Sequence, residues 1–462
     1  MKKLLSILII TVIIFSLSAC RGEEPVVYED MSINGVAIEE YRIVYDSEGL
    51  DYNLRAAEYI RDRIQALTGN TLSVVDDNEP KAAHEIVVGE TSREISKELD
   101  TELRGVNFSM LAKGGDVALE ANYFAIAAAA YYFADTYVKG GVVIIEDGVG
   151  THEPITKEAK SYILLIGDGM GVNQTMLHNY LTDKSDYSDG EDLFYGYMLP
   201  YQGFSRTDSF SGTTDSAAGG TALATGYKTF NKYIGIDKDQ KELKSLTELA
   251  AELGKATAVM STERSTGATP ATFSAHSDGR DNSDDILNDQ TALKEKYGTI
   301  IDCKAYTQYG ERYLKNNEKR IVDTLNTLNS DEDGIFLMYE EAHIDKHCHS
   351  NDINKTFLAL LSFNQAIARF MEYAFYNPDT VVIITADHET GGLTVGEDGK
   401  LRYTTDEHTS ASVPVFSWGN GAEYFDGEEV ENVRIAQFIA RGMGEGDFGD
   451  TTDSWYDEIY GG

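Results

Sequence analysis

Four short, uninterrupted apolar runs, alternating with stretches of helical period, constrain this chain more than any other feature. They are Tyr162–Ile166, Ala256–Met260, Ile335–Tyr339 and Thr380–Thr385, separated by helical patterns over Leu243–Leu253, Glu311–Leu328 and Lys355–Tyr373. Strands that are apolar throughout, rather than alternately, belong in a parallel sheet covered on both faces. The expected fold class is therefore α/β, a mainly parallel sheet sandwiched by helices. Such sheets bind ligands beyond the carboxyl ends of their strands, and polar groups gather there: Asp168, Glu340 and Asp387-His388 follow three of the runs, and Thr269 and Arg280 lie downstream of the fourth. One acid after one strand is an ordinary helix cap. Four such ends together point to a site.

Asp345 and His349 stand four residues apart, so on a helical turn they share a face and can grip one ion. Glu340 lies just before them, Asp387-His388 offers a further oxygen and nitrogen, and His408 another nitrogen. Imidazole with carboxylate suits zinc, whereas carboxylate with hydroxyl and water suits magnesium. His343 and His347 are read as packing or surface residues. Ser216 sits in a run of small residues, Thr213 to Gly226, that allows a tightly packed helix. With Thr214 or Asp215 as its cap, the serine falls in the first turn, where free N–H groups favour phosphate oxygens. A serine hydroxyl is a weak nucleophile unless a base or metal activates it. No Ser-His-Asp wiring is evident, so metal activation is the economical reading.

These residues fall in blocks that resemble the alkaline phosphatase family: Ile166–Gly171, Thr214–Ala218, Gly267–Ala271, Glu340–His349, Ala386–Gly392 and Glu407–Thr409, in order and with matching internal spacing. The resemblance covers residues 161–420. It implies two Zn2+ and one Mg2+, with Asp345, His349 and His408 holding the first zinc. Asp168, Asp387 and His388 would hold the second zinc, and Asp168, Thr269 and Glu340 the magnesium. Ser216 would be the nucleophile, passing through a phosphoserine, and Arg280 would clamp the phosphate of a monoester. By the same register Cys348 is not a ligand. The chain departs from the pattern at Gly267, where many relatives carry Asp or His near the magnesium, and at Glu341, where small residues are usual. Lys346 matches a lysine in some members. Only 19 residues separate His388 and His408, too few for an insertion found in dimeric relatives, and the oligomeric state stays open. A phosphodiesterase or phosphonate hydrolase of the same superfamily is the rival enzyme, disfavoured by the Arg280 block. A glycan- or envelope-binding lipoprotein with a degenerate site is the rival without chemistry.

The N-terminus reads separately. Lys2 and Lys3 precede an apolar run, Leu4 to Leu17, that ends in Leu17-Ser18-Ala19-Cys20. Basic start, short apolar core and small residues describe a signal peptide, and this one resembles bacterial lipoprotein signals. Residues 1–19 would be removed, Cys20 lipidated, and the protein held outside the cytoplasm on the bacterial cell membrane. Residues 20–30 then form a tether, 31–150 a smaller α/β accessory domain, 151–160 a linker, 161–442 the catalytic domain and 443–462 a loose acidic tail. The accessory domain resembles the small α/β domain of α-glucuronidases and related glycan enzymes. Packing element and glycan-binding module both remain open for it. A net charge of −38 repels nucleic acid, and it obliges any phosphate site to bring its own positive charge. Three cysteines, Cys20, Cys303 and Cys348, make no disulfide framework, and a Cys303–Cys348 bridge stays undecided.

Overall fold

The computed structural model describes residues 28, 30–49, 51–99, 102–177, 193–306, 311–329, 331–453 and 459. The expected signal peptide, Cys20 and nearly all of the tether lie outside these residues. Among the described residues no helix is long and apolar enough to cross a membrane.

The first half builds a six-stranded sheet from β1 (Tyr41–Tyr45), β2 (Val74–Asp76), β3 (His84–Val88), β4 (Phe108–Lys113), β5 (Asp116–Ala121) and β6 (Gly148–His152), in the order β2-β1-β3-β5-β4-β6. The expected linker thus begins inside a strand, because Thr151 and His152 pair with Ser109 and Phe108. Helices α1 (Asp51–Thr68) and α2 (Ile126–Tyr137) pack on one another. The strand Gly141–Val143 pairs with Met31–Ile33 in a separate three-stranded sheet of the same half.

The second half is an eight-stranded sheet flanked by helices. Its strands are β7 (Ser161–Gly167), β8 (Tyr201–Arg206), β9 (Ala256–Ser261), β10 (Ile300–Cys303), β11 (Ile335–Glu341), β12 (Thr380–Thr385), β13 (Val413–Trp418) and β14 (Glu429–Glu431). The order is β10-β9-β11-β7-β12-β13-β8-β14. The first five are mutually parallel, and β13 runs antiparallel to both neighbours. Every residue of β7, β11 and β12 is buried, as continuous apolar strands under two helical layers must be.

The two halves share one core. Helix α8 (Ile353–Tyr376; α3 to α7 follow with the site) is buried nearly all round, because one side lies on the catalytic sheet and the other receives α2. Phe363, Phe370 and Phe375 belong to the same apolar cluster as Phe108, Phe124 and Phe133 of the first half. Tyr59 stacks on Tyr376 with ring centroids 4.2 Å apart, and Arg55 Nε donates to Glu372 Oε1 at 3.0 Å. Each of these buried aromatic side chains contributes about 2 kcal/mol relative to exposure.

The acidic stretch after Met443 is not loose as far as residue 453. Phe448 is buried in the catalytic core, Asp450 N–H donates to Gly226 O at 2.9 Å, and Arg434 pairs with Asp453. One apolar anchor outweighs an otherwise solvating composition. Cys303 and Cys348 are free thiols.

Glu120, on β5, is the accessory domain's least compensated acid. Burial raises its pKa to about 8, and Glu90 and Asp46 push the same way. Its Oε2 is buried without a hydrogen-bond partner among the described residues. In the unfolded chain a glutamate titrates near ~4.3. Between that value and about 8 the folded state holds a proton the unfolded state has released, so this group lowers stability as pH rises through the interval. Glu120→Gln is expected to raise Tm by roughly 3 °C or more at pH 9 and by little at pH 5. Melting curves at the two pH values check it, and an equal shift at both would contradict it.

Candidate active site

The site forms at the carboxyl ends of the parallel strands. Asp168 follows β7, with its N–H donating to Glu341 O at 3.2 Å, and Glu340 is the penultimate residue of β11. Ser261 ends β9 and donates its hydroxyl to Glu340 Oε2. Asp387 and His388 lie just past β12, both fully buried. Helix α3 (Ser216–Thr225) points its N-terminus at this cluster, capped by Asp215, whose Oδ1 accepts from Ala218 N–H at 3.0 Å. The small residues of α3 serve close approach: a Cβ on Gly219 would stand 2.6 Å from Asp387 O. Behind it, after the short helix α4 (Leu246–Glu252), α5 (Ala268–Thr272) brings Thr269 beside the acids. Helix α6 (Glu311–Leu328) covers the sheet, and α7 (His343–His349) carries Asp345 and His349 on one face.

Two sets of ligand atoms converge, each within 4.8 Å: Asp345 with His388 and His408, and Asp168 with Asp387 and His388. His388 belongs to both. His349 joins the first set, its Nε2 lying 3.3 Å from Asp345 Oδ1 and 3.1 Å from His408 Nε2. Asp345 Oδ1 to His408 Nε2 is 3.6 Å. In the second set His388 Nε2 stands 3.5 Å from Asp168 Oδ1 and 3.3 Å from Asp387 Oδ2. Two ligands ~2.0 Å from a tetrahedral zinc stand about 3.3 Å apart, so these spacings fit. The rings are turned to suit. His349 Nδ1 faces Asp406 O at 2.5 Å, His408 Nδ1 faces Thr214 O at 2.8 Å, and His388 Nδ1 faces Thr390 Oγ1 at 3.2 Å. Thr390 spends its own proton on Asp345 Oδ1 at 2.6 Å. Each Nδ1 therefore carries the ring proton, leaving Nε2 as a lone pair aimed into the cluster.

Electrostatics make the same demand. Burial, then Asp387, Asp345 and Glu340, push Asp168 well above the usual carboxylate range. Burial likewise takes Glu340 to about 8 and Asp387 to about 6. Burial lowers His388 to about 3, helped by His408. Asp345 is also buried, yet the neighbouring imidazoles of His408, His388 and His349 and the Thr390 hydroxyl hold it below the ordinary aspartate value. Asp168 Oδ1, Asp387 Oδ2 and Thr269 Oγ1 are buried without hydrogen-bond partners among the described residues. Orphaned oxygens and unprotonated nitrogens crowded together are the donor set of divalent cations, so the residues fit the metals expected of them.

Ser216 is 4 % exposed and its Oγ lies 3.2 Å from His388 Nε2, between the two ligand sets. Arg280 Nη1 donates to Asp215 Oδ2 at 3.1 Å, and its N–H to Lys232 O at 2.9 Å. Burial works against its charge, but Asp215 and, more weakly, Asp168 and Asp345 raise its pKa. The fork is thus held beside the serine helix by that helix's own cap.

All ten expected site residues meet here: Asp168, Ser216, Thr269, Arg280, Glu340, Asp345, His349, Asp387, His388 and His408. His343 is buried away from the ligand sets, with Nδ1 3.3 Å from Glu341 Oε1 and Nε2 3.0 Å from Tyr306 O. Cys348 Sγ faces Tyr403 Oη and Thr356 Oγ1. Thr390 and Ser261 have no role assigned by sequence reasoning, although Thr390 falls inside the block Ala386–Gly392 and Ser261 stands at a strand end.

Sequence comparison matches the profile of the family described as "Alkaline phosphatase" to residues 159–308 and 314–402. The chain is 32 % identical over 326 residues to alkaline phosphatase 3 of Bacillus subtilis, covering 59 % of this chain and 70 % of that one. It is 30 % identical over 310 residues to alkaline phosphatase 4 of the same organism, covering 55 % and 66 %. Among solved structures, alkaline phosphatase from the Antarctic bacterium TAB5 superposes with a TM-score of 0.54 at 25 % identity, over 62 % of this chain and 99 % of that one. A point mutant of the TAB5 enzyme with Mg bound in its M3 site gives 0.54 at 26 %, over 63 % and 99 %.

Proposed function

The chain belongs to the alkaline phosphatase family, and from that premise we propose that it hydrolyses phosphate monoesters through a phosphoserine at Ser216. One cation would be held by Asp345, His349 and His408, a second by Asp168, Asp387 and His388, and a third by Asp168, Thr269 and Glu340. Two zincs and one magnesium match these donor types. When bound, the cations polarise the ester and favour the ionised serine hydroxyl. The observation that carries the reading is the Ser216 hydroxyl lying 3.2 Å from Nε2 of His388, the residue common to both clusters of candidate ligand atoms.

Ser216 Oγ gives up its proton and attacks phosphorus. The new P–O bond forms as the bond to the leaving alcohol breaks, and that alcohol takes up a proton. Water then attacks the phosphoserine, releasing inorganic phosphate and restoring the hydroxyl. The free N–H groups at the start of α3 and the Arg280 fork receive the non-bridging oxygens. In a chain of net charge −38 this cationic pocket is what admits a dianion. Arg280→Ala is expected to lower kcat/KM for p-nitrophenyl phosphate by roughly 100-fold, mainly through KM. Its effect on bis(p-nitrophenyl) phosphate should be smaller, since a diester offers the fork less charge. Wild-type protein that turned over the diester faster than the monoester would instead support the phosphodiesterase reading.

Placement outside the cytoplasm through a lipid on Cys20 completes the proposal, supported by the motif Leu17–Cys20. Mass spectrometry of the mature N-terminus tests it. For residues 31–150 the packing of α1 and α2 against α8 favours a structural role. Their likeness to glycan-enzyme domains makes oligosaccharide binding the alternative.

A further inference from the structure

Glu263 is an acid at the rim of this site to which the mechanism gives no part. It follows β9 by two residues, and its N–H donates to Ser261 Oγ at 2.8 Å, the hydroxyl that in turn donates to Glu340 Oε2. Its side chain leans across Gly267, the residue that caps α5 and so positions Thr269. A Cβ built on Gly267 would lie 2.8 Å from Glu263 Cγ and 3.1 Å from Arg264 O. Gly267 has φ −59 and ψ 152, values open to any residue, so it is the space and not the backbone angle that the missing side chain concedes. The far end of Glu263 pairs with Lys346 Nζ, next in sequence to Asp345.

We propose that Glu263, reaching over Gly267 and bridged to Lys346, is a positioning residue that sets the affinity of the Asp168–Thr269–Glu340 site for Mg2+. This rests on the metal-dependent reading above. The carboxylate adds negative charge beside the cation without replacing a ligand, while the backbone N–H of the same residue, which any substitution keeps, holds Ser261 against Glu340. Lys346 works in the opposite sense, restraining the carboxylate and partly cancelling its field. Residues behind metal ligands typically change affinity about 10- to 100-fold when removed.

The test is calorimetric titration of Mg2+ into the zinc-loaded protein, with zinc content measured separately. E263A is expected to raise the Mg2+ Kd about tenfold or more while zinc stays at the wild-type level, and E263Q to do the same through charge alone. K346A should lower the Kd. In E263A/G267D, where the vacated space receives a carboxylate from the facing position, Mg2+ binding should recover. E263A and E263Q within twofold of wild type would overturn the proposal and leave the phosphatase reading untouched. Wild-type protein that binds neither Zn2+ nor Mg2+ would sink both.

Discussion

Ser216→Ala is expected to reduce kcat on p-nitrophenyl phosphate by at least ~1,000-fold, with metal content and Tm close to wild type. Ser216 opens α3 but does not cap it; Asp215 does, through Ala218. The substitution therefore removes one oxygen at the centre of the ligand cluster and leaves the helix start intact. What survives is a cationic pocket that still binds phosphate through Arg280 and the helix N-terminus. Inorganic phosphate should accordingly still inhibit the residual reaction. Steady-state kinetics on the purified variant decides. Retention of more than about a tenth of wild-type kcat would contradict attack by this hydroxyl.

Stripping the metals should abolish turnover and also destabilise the fold. Asp168, Glu340, Asp345 and Asp387 are all buried within one cluster, and among the described residues no lysine or arginine forms a salt bridge with them. Without cations, like charges in a desolvated space cannot all stay ionised. A metal-free protein must take up protons there: Asp387 at about 6 and Glu340 at about 8 are protonated when folded and ionised when unfolded at intermediate pH. Folded-state values above unfolded ones mean stability that falls as pH rises from about 5 to 8. The expected result is a Tm lower by about 10 °C at pH 8 after exhaustive chelation, with a smaller drop at pH 5. Zn2+ and Mg2+ together should restore both Tm and activity. Scanning calorimetry on stripped and reconstituted protein provides the check; equal Tm with and without metals at pH 8 would mean the cluster holds none.

The parts that were legible share one physical origin. Thr380–Thr385 and Glu311–Leu328 coincide with the observed strand and helix, because burial on both sheet faces and on one helix face writes a strong periodic pattern. The strands β8 and β13 are harder to read: β8 alternates weakly, β13 is buried throughout but contains Pro414, and the two pair antiparallel with one another. The hairpin of β4 and β5 leaves one local signal, Gly114-Gly115 at its turn. In the site, the direct ligands could be found because metal binding needs particular side chains at strand ends. The groups that orient them, Asp406 O and Thr214 O, are backbone carbonyls, and a carbonyl has no residue identity to read. Phe448 was hidden in the same way, a single aromatic among acids and glycines whose partner lies far back in the chain.

Helix α8 is apolar on its far side only because the accessory half roofs it. The catalytic machinery is thus not a detachable module. Excision at residue 160 would strip the shelter from Phe375 and Tyr376 and leave a greasy wall facing solvent. Whatever else residues 31–150 do, a truncation that removes them must also replace the apolar outer surface of that helix with polar side chains to stay in solution.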